Sequence, residues 1–568
     1  MKLRILGPLG RVTGSGYLLE HEGRLILVDY GVRQGEGASG IAWNTARPDF
    51  DVARLDYVFL THAHLDHCGN LPLLVRHGWR GKVLCTRETA ALARIVLEDA
   101  VRHDGCAWDG SDLAKLEFAE RGPQVLDRLQ PIAQDLWFCL HRTGHIAGAT
   151  SVQLIWGPRD DQRTIAFSGD IGPARDGAEG TLLHGHWMAP RGMAGPNTVG
   201  VPPLDTVVME STYGGRVRDV GLEARLEHLE ALIRETNEQR GVLVLPCFAV
   251  DRTQAVLLDL HLLAARRPGL FGETTVFLDA PMAERVNRAY VEALTRCQAF
   301  RTKVRPMWLG GGFFRALGLD RRDREDLEVA AALLRAALIQ HRGYAPAPAP
   351  DHSSDLVRHW RPLVAAAAVG PQETGPAVLV TGGGMLSGGR ALQHLPRLLR
   401  SPATTLALTG YCAPGTLGYR LGALSRVPAS DRALFPDGGT YYPELGLQTA
   451  DIRARITRLS GYSGHADHDE LVDYAFPRDR DGRRRVLARR ILLTHGDDPA
   501  RRALKSALEA RSTELAAAFP DADFRTSVQL PAEGQGWIDL DDDIEETFAD
   551  ELAALRRRIA LLEGRGAA

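Results

Sequence analysis

Long apolar runs are missing from this 568-residue chain, and so is any excess of positive charge. No stretch of about 18 consecutive apolar residues occurs, so no membrane-spanning helix and no membrane partner are expected. The opening MKLRILGPLG lacks the apolar core of a secretory leader and runs straight into strand-like sequence. Cysteine is sparse: Cys68, Cys85, Cys106, Cys139, Cys247, Cys297 and Cys412 are scattered and never form a Cys-x-x-Cys pair. A disulfide framework or a thiolate zinc site is therefore disfavoured, and a cytoplasmic location is expected. The net charge of −3 argues against broad non-specific nucleic-acid binding, because such binders often carry a basic excess. Cations held in a cleft and local arginines reverse the sign where it matters, so a nuclease stays compatible with that count.

Hydrophobic residues at 44% and charged residues at 24% are those of a soluble globular protein. The length suggests about two or three domains. Chemistry concentrates in the stretch THAHLDHCGN at Thr61–Asn70, which places His62, His64, Asp66 and His67 directly after the apolar Val58, Phe59 and Leu60. Imidazole and carboxylate suit a borderline divalent ion such as zinc. These ligands exceed what one tetrahedral ion with an open position uses, which suggests two metals. A His-rich surface turn, or a metal that only holds a loop, is the plainer alternative; the density of the motif and the strand before it disfavour both.

Other candidates follow in chain order. Asp29 closes the last of three glycine-punctuated strands within residues 3–30, where a carboxylate could orient a metal-bound histidine. A βα rhythm follows the histidine cluster, and His145 then occupies a glycine-rich turn before an apolar strand. Asp170 sits at a strand tip between Gly169 and Gly172, placed to bridge two ions, which lie roughly 3.5–4 Å apart in two-metal hydrolases. Residues 171–203 read as a loop carrying His184 and His186. The strand TVVM then delivers Glu210, followed by Ser211–Gly214.

From about 215 to 430, helices alternate with apolar strands, implying a mostly parallel sheet covered on both faces. Arg252, Arg390 and Arg420 are candidate phosphate contacts there. Residues 310–375 look like an expansion: one helix carrying a solvated RRDRED face, then a Pro/Ala linker. Further on, Ser463 and His465 lie in an SGHAD turn, His468 reads as a surface residue, and His495 ends another strand. After about 541, Phe548, Leu552, Leu555, Ile559 and Leu562 form a heptad seam too short for an isolated coiled coil. It is expected to dock on the body or within a homodimer.

The order Asp29, His62-x-His64-x-Asp66-His67, His145, Asp170 resembles the metallo-β-lactamase superfamily. Glu210-Ser-Thr-Tyr-Gly and the DAPMA, GGMLSGG, GYCAPGTLG and SGHAD blocks resemble its β-CASP group, as does His495. Cys412 departs from a position where that group often has glutamine. The resemblance implies an α/β fold: an αββα sandwich (residues 1–205 and 436–542) with an inserted β-CASP domain (206–435) and a C-terminal helix (543–568). It implies two Zn²⁺ ions, one on His62, His64 and His145, the other on Asp66, His67 and His495, with Asp170 between them and Asp29 behind. A hydroxide activated by both metals would attack the phosphodiester. His465 would protonate the leaving oxygen and Glu210 would hold its imidazole; with Asp66 they form the expected catalytic set. Histidine at position 495 resembles the RNA-acting members, particularly bacterial and archaeal homologues of the cleavage-and-polyadenylation endonuclease.

The expected function is thus a zinc-dependent ribonuclease on single-stranded RNA, endonucleolytic with room for 5′→3′ exonuclease activity. A DNA nuclease of the same fold is the alternative, as is a non-catalytic RNA-binding or scaffold subunit. A protein partner could use the C-terminal helix or the 310–375 expansion.

Overall fold

The computed structural model describes residues 1–541 except 174–203, 341–375 and short stretches at 8, 35–36, 103–105, 123–124, 159–160, 219, 268, 301–302, 479–483 and 521–524. The expansion's linker, His184, His186 and the C-terminal heptad seam therefore lie outside the described residues. No helix among the described residues is long and apolar enough to cross a membrane.

Two seven-stranded sheets form the first unit. Their inner faces meet through aromatic pairs, Phe59 with Phe138 at 5.3 Å and Tyr17 with Phe167 at 5.1 Å between ring centroids. Helices cover both outer faces, so several strands are buried on two sides and read as unbroken apolar runs. In Leu204–Glu210, Val208 points into the sandwich, whereas Val207 and Met209 meet the outer helices His468–Ala475 and Asp498–Ala518. Ala488–Thr494 repeats this alternation, with Leu492 inside and Ile491 and Leu493 outside. The expected αββα sandwich is what the chain forms.

One pairing decides the site. Leu204–Glu210 and Ala488–Thr494 lie side by side in parallel, with Glu210 opposite Thr494. The strand ends that carry Glu210 and His495 thereby become neighbours although the whole inserted unit separates them in sequence. That unit is a five-stranded parallel sheet in the order Thr275–Asp279, Ala377–Gly382, Val242–Cys247, Thr404–Leu408, Arg455–Arg458. Its last strand moves the return to the first unit from 436 to beyond Arg458. Arg455–Arg458 is an edge strand whose only apolar residue is Ile456, so it carries no hydrophobic signature. The start moves as well, because Leu204–Glu210 belongs to the sandwich.

The single helix expected from residue 310 onward is two, Gly311–Ala316 and Arg324–Arg335. Asp323, within the charged block, caps the second by accepting from the amides of Glu325 at 2.8 Å and Asp326 at 3.1 Å. Arg321, Arg322 and Arg324 are exposed, while Phe313, Phe314, Leu334 and Leu338 join the main core. This part of the expansion is packed into the body rather than laid on its surface. Cys412 is buried, its thiol 3.8 Å from the carbonyl of Gly384.

The two units are also tied by a buried cation. Arg225 makes a two-pronged ion pair with Asp259 at 2.7 and 3.0 Å, donates to the Gly461 carbonyl at 2.8 Å, and stacks over Tyr462. Arg225→Ala leaves the Asp259 carboxylate buried without this partner, a change costing on the order of 3–5 kcal/mol. Denaturant unfolding is expected to show that loss in the midpoint.

Candidate metal centre and active site

Seven chain segments converge at one edge of the sandwich: six bring one polar side chain each, Asp29, His145, Asp170, Glu210, His465 and His495, and the 62–67 turn brings His62, His64, Asp66 and His67. Asp29 and His495 sit there in left-handed backbone, φ 56° and 46°, which non-glycine residues adopt at a cost. The 62–67 turn presses so closely on the end of the hairpin that a Cβ at Gly31 would fall 1.6 Å from the Asp66 carbonyl oxygen. Only glycine allows that approach.

Two histidine-rich groups of ligand-type atoms stand at this edge, and Asp170, Glu210 and His465 form a third cluster beside them. His62 Nε2, His64 Nδ1, His145 Nε2 and an Asp170 oxygen lie within 4.8 Å of one another, and so do ligand atoms of Asp66, His67 and His495. Asp170 divides its carboxylate between them. Its Oδ2 is 3.3 Å from His62 Nε2 and 3.4 Å from His145 Nε2; its Oδ1 is 3.2 Å from His67 Nε2 and 3.5 Å from the His495 ring. Oδ1 is buried and makes no hydrogen bond. Such an atom is costly to bury unless a cation completes it.

Behind the cluster, neighbouring groups set which imidazole nitrogen faces inward. Asp29 accepts from the amide and hydroxyl of Thr61, both at 2.8 Å, and from His67 Nδ1 at 2.8 Å. The same Thr61 hydroxyl, already donating to Asp29, accepts from His62 Nδ1 at 3.1 Å. His145 Nδ1 donates to the Gly464 carbonyl at 2.7 Å, and His495 Nδ1 to the Thr212 hydroxyl at 3.1 Å. In each of these four rings Nδ1 makes the outward hydrogen bond and Nε2 is turned to the centre, the orientation of metal-bound histidines.

The charge states agree with this. Burial pushes His64 down to about 3, with His62 adding to the effect, and burial lowers His62 and His145 too. These three are neutral at pH 7, the form in which an imidazole can bind a metal. Burial opposes ionisation of Asp66, but His495 and His67 hold it down at about 2. Burial would also lower His67 and His495, yet Asp170 and its neighbours raise both. The second group therefore attracts protons where a divalent ion would displace them. The donor set fits divalent metal at both positions.

Across from these groups stands His465. Its Nδ1 is 3.2 Å from both oxygens of Glu210, and its Nε2 is 3.9 Å from Asp170 Oδ2. Glu210 is buried and held by the amides of Ile171 at 2.5 Å and Thr212 at 3.3 Å. Burial works against the imidazolium, but Glu210 and then Asp170 lift His465 to about 9. Ser463 accepts from the His465 amide at 3.2 Å and shapes its turn, which Arg218 clamps through the His465 carbonyl at 2.5 Å. His468 bonds the Gly214 carbonyl at 2.5 Å through Nδ1 and is half-buried, a structural link rather than the surface residue expected.

The three arginines differ. Arg252 is at the junction of the units, donating to the Thr409 carbonyl, and its buried Nε makes no hydrogen bond. Arg390 instead lies 3.7 Å from Asp279 and bonds Gln393, and Arg420 pairs with Glu444 beside the Tyr442 ring. Sequence reasoning missed Thr212, which fixes the His495 ring, and Tyr213, whose ring lies edge-on to His465 at 6.1 Å. Both belong to the ESTYG block, so that block was the available signal. Asp29→Asn removes the carboxylate that orients His67, and roughly 10–100-fold weaker metal retention is expected. Chelator competition reads it directly.

A centre of five histidines and two aspartates at the edge of an αββα sandwich, faced by a Glu–His pair, defines a metallo-β-lactamase-type hydrolase. Family models agree: the metallo-beta-lactamase superfamily matches residues 9–199, the Beta-Casp domain 253–421, and the Zn-dependent metallo-hydrolase RNA specificity domain 449–517. The chain belongs to the β-CASP ribonuclease family. It is 32% identical over 527 residues to Ribonuclease TTHA0252 of Thermus thermophilus, covering 91% of this chain and 98% of that one. It is also 27% identical over 507 residues to Transcription termination factor FttA of Methanothermobacter thermautotrophicus, and 25% identical over 508 residues to FttA of Methanosarcina mazei. Each of those matches covers 88% of this chain and 67% of the relative.

Proposed function

We propose that this chain is a zinc-dependent ribonuclease that hydrolyses phosphodiester bonds in single-stranded RNA, endonucleolytically and with 5′→3′ exonuclease activity. The supporting observation is the division of Asp170 between two histidine groups, with a charged His465 across the gap. His62, His64 and His145 would hold one Zn²⁺, and Asp66, His67 and His495 the other, with Asp170 shared. When bound, two such ions supply an activated water and neutralise charge on the phosphate.

The protein's own groups do the rest. Asp29, Thr61, Thr212 and the Gly464 carbonyl keep the ligand rings oriented, so little reorganisation accompanies reaction. The P–O3′ bond breaks as water adds to phosphorus. His465 gives its Nε2 proton to the departing O3′, leaving a 3′-hydroxyl and a 5′-phosphate. Glu210 keeps that imidazole charged until the transfer.

The test compares end-labelled RNA and DNA of one sequence, with 5′-phosphate, 5′-triphosphate or 5′-hydroxyl ends, with zinc or with chelator. Internal cleavage of RNA that the chelator abolishes supports the reading, and a ladder growing from the 5′ end supports the exonuclease part. RNA surviving catalytic amounts of enzyme with zinc present overturns it. Preferential cleavage of the DNA would favour the DNA-nuclease alternative.

A further inference from the structure

The order in which strands are added to the parallel sheet reverses at its middle strand, Val242–Cys247. The chain runs first to Thr275–Asp279 and Ala377–Gly382 on one side, then to Thr404–Leu408 and Arg455–Arg458 on the other. In open parallel sheets, ligands bind beyond the carboxyl ends of the strands at such a switch point. Here three strand ends meet on Phe248. A Cβ on Gly384 would stand 2.8 Å from that ring, and one on Gly410 would stand 3.2 Å away, so both loops lie flat against it.

Directly after Gly410 comes Tyr411, 45% exposed, and the helix Leu417–Ala423 carries Tyr419, 47% exposed. This edge of the sheet faces the reaction centre. A Cβ on Gly464, beside His465, would lie 3.4 Å from Asp251 Oδ2 at the start of the helix that follows Phe248. Arg252 joins that helix to Thr409. Burial raises the Tyr411 hydroxyl, Asp497 raises it further, Arg216 lowers it, and Tyr213 and Tyr419 also act on it. The segments carrying Tyr411 and Tyr419 pack together, a Cβ on Gly418 lying 2.7 Å from Cys412 Sγ, and Tyr213 lies edge-on to His465 at 6.1 Å, three residues before the exposed Arg216.

Building on the ribonuclease reading, we propose that Tyr419, Tyr411 and Tyr213 form an aromatic track on which successive bases of single-stranded RNA stack on the way to His465, with Arg216 meeting the backbone phosphates. Every base has a π-face, so such a track is tolerant of sequence. It also selects unpaired RNA, whose bases are free to splay onto a ring.

The experiment measures binding of a fluorescein-labelled single-stranded RNA by anisotropy in a His465→Ala background, and KM in the active chain. Tyr411→Ala and Tyr419→Ala are each expected to weaken binding roughly tenfold. Tyr411→Phe and Tyr419→Phe keep the ring and should bind as the parent does. RNAs with a single abasic nucleotide stepped along the strand locate the contact: at the stacking position, the abasic loss and the Tyr411→Ala loss do not add. Alanine variants that bind within about twofold of the parent overturn the track. Phenylalanine variants as weak as alanine variants overturn it too, by assigning the effect to the hydroxyls. In either case RNA cleavage by the parent chain leaves the ribonuclease reading standing. A parent chain that neither binds nor cleaves RNA overturns both.

Discussion

Replacing His465 by alanine is expected to lower kcat by roughly 10²–10⁴-fold, the usual scale for a general acid, while the chain keeps its divalent ions. The reason is positional. His465 belongs to neither histidine-rich group; it clusters instead with Asp170 and Glu210, its Nδ1 taken by Glu210 and its Nε2 3.9 Å from Asp170 Oδ2. A metal analysis showing loss of ions from His465→Ala would mean that it is a ligand, and the proton-donor role would fail.

A pH profile tests the same role from the other side. Burial alone lowers the pKa of an imidazole; Glu210 overcomes it and holds His465 at about 9. The protonated, donating form is therefore present below about pH 9 and lost above it, which sets the alkaline limb of kcat. Glu210→Gln keeps the shape but removes the negative charge, so the limb is expected to move to lower pH. An alkaline limb identical in the two proteins would sink the assignment.

Asp170→Asn should do comparable damage by another route. The carboxylate offers one oxygen to each group, and Oδ1 has no hydrogen-bond partner. An amide keeps one acceptor and turns N–H donors towards the other group, where a cation is needed. Metal content should fall below that of the parent, and activity should drop by at least roughly 10³-fold. Stability offers an independent readout. A ligand present at 100 times its dissociation constant stabilises the folded state by about 2.7 kcal/mol. The parent's melting temperature should therefore rise with zinc and fall with chelator, while that of Asp170→Asn responds weakly. A mutant that retained two ions and the full thermal response would show that Asp170 does not bridge.

The histidine and aspartate identities were legible early because they are a local pattern: His62, His64, Asp66 and His67 crowd one turn after an apolar strand. The fold class was legible for a similar reason, since strands buried on two faces leave unbroken apolar runs that alternate with helices. Boundaries were harder to read. Arg455–Arg458 contributes one apolar side chain at a sheet edge, so its membership in the inserted unit has no local signature. The break before Arg324–Arg335 was hidden as well, because Asp323 looked like one more charge on a solvated face until its cap hydrogen bonds were seen.

What the sequence determined by itself was the inventory: which imidazoles, which carboxylates, and which β-CASP blocks travel with them. The tertiary structure alone decided their orientation. Parallel pairing of Leu204–Glu210 with Ala488–Thr494 brings Glu210 and His495 to one edge. Thr61, Asp29, Thr212 and the Gly464 carbonyl then choose the nitrogen that each of four rings presents. Those partners come from segments far apart in the chain. Periodicity and spacing register only near neighbours, whereas a proton's position on an imidazole depends on whatever the fold packs behind it.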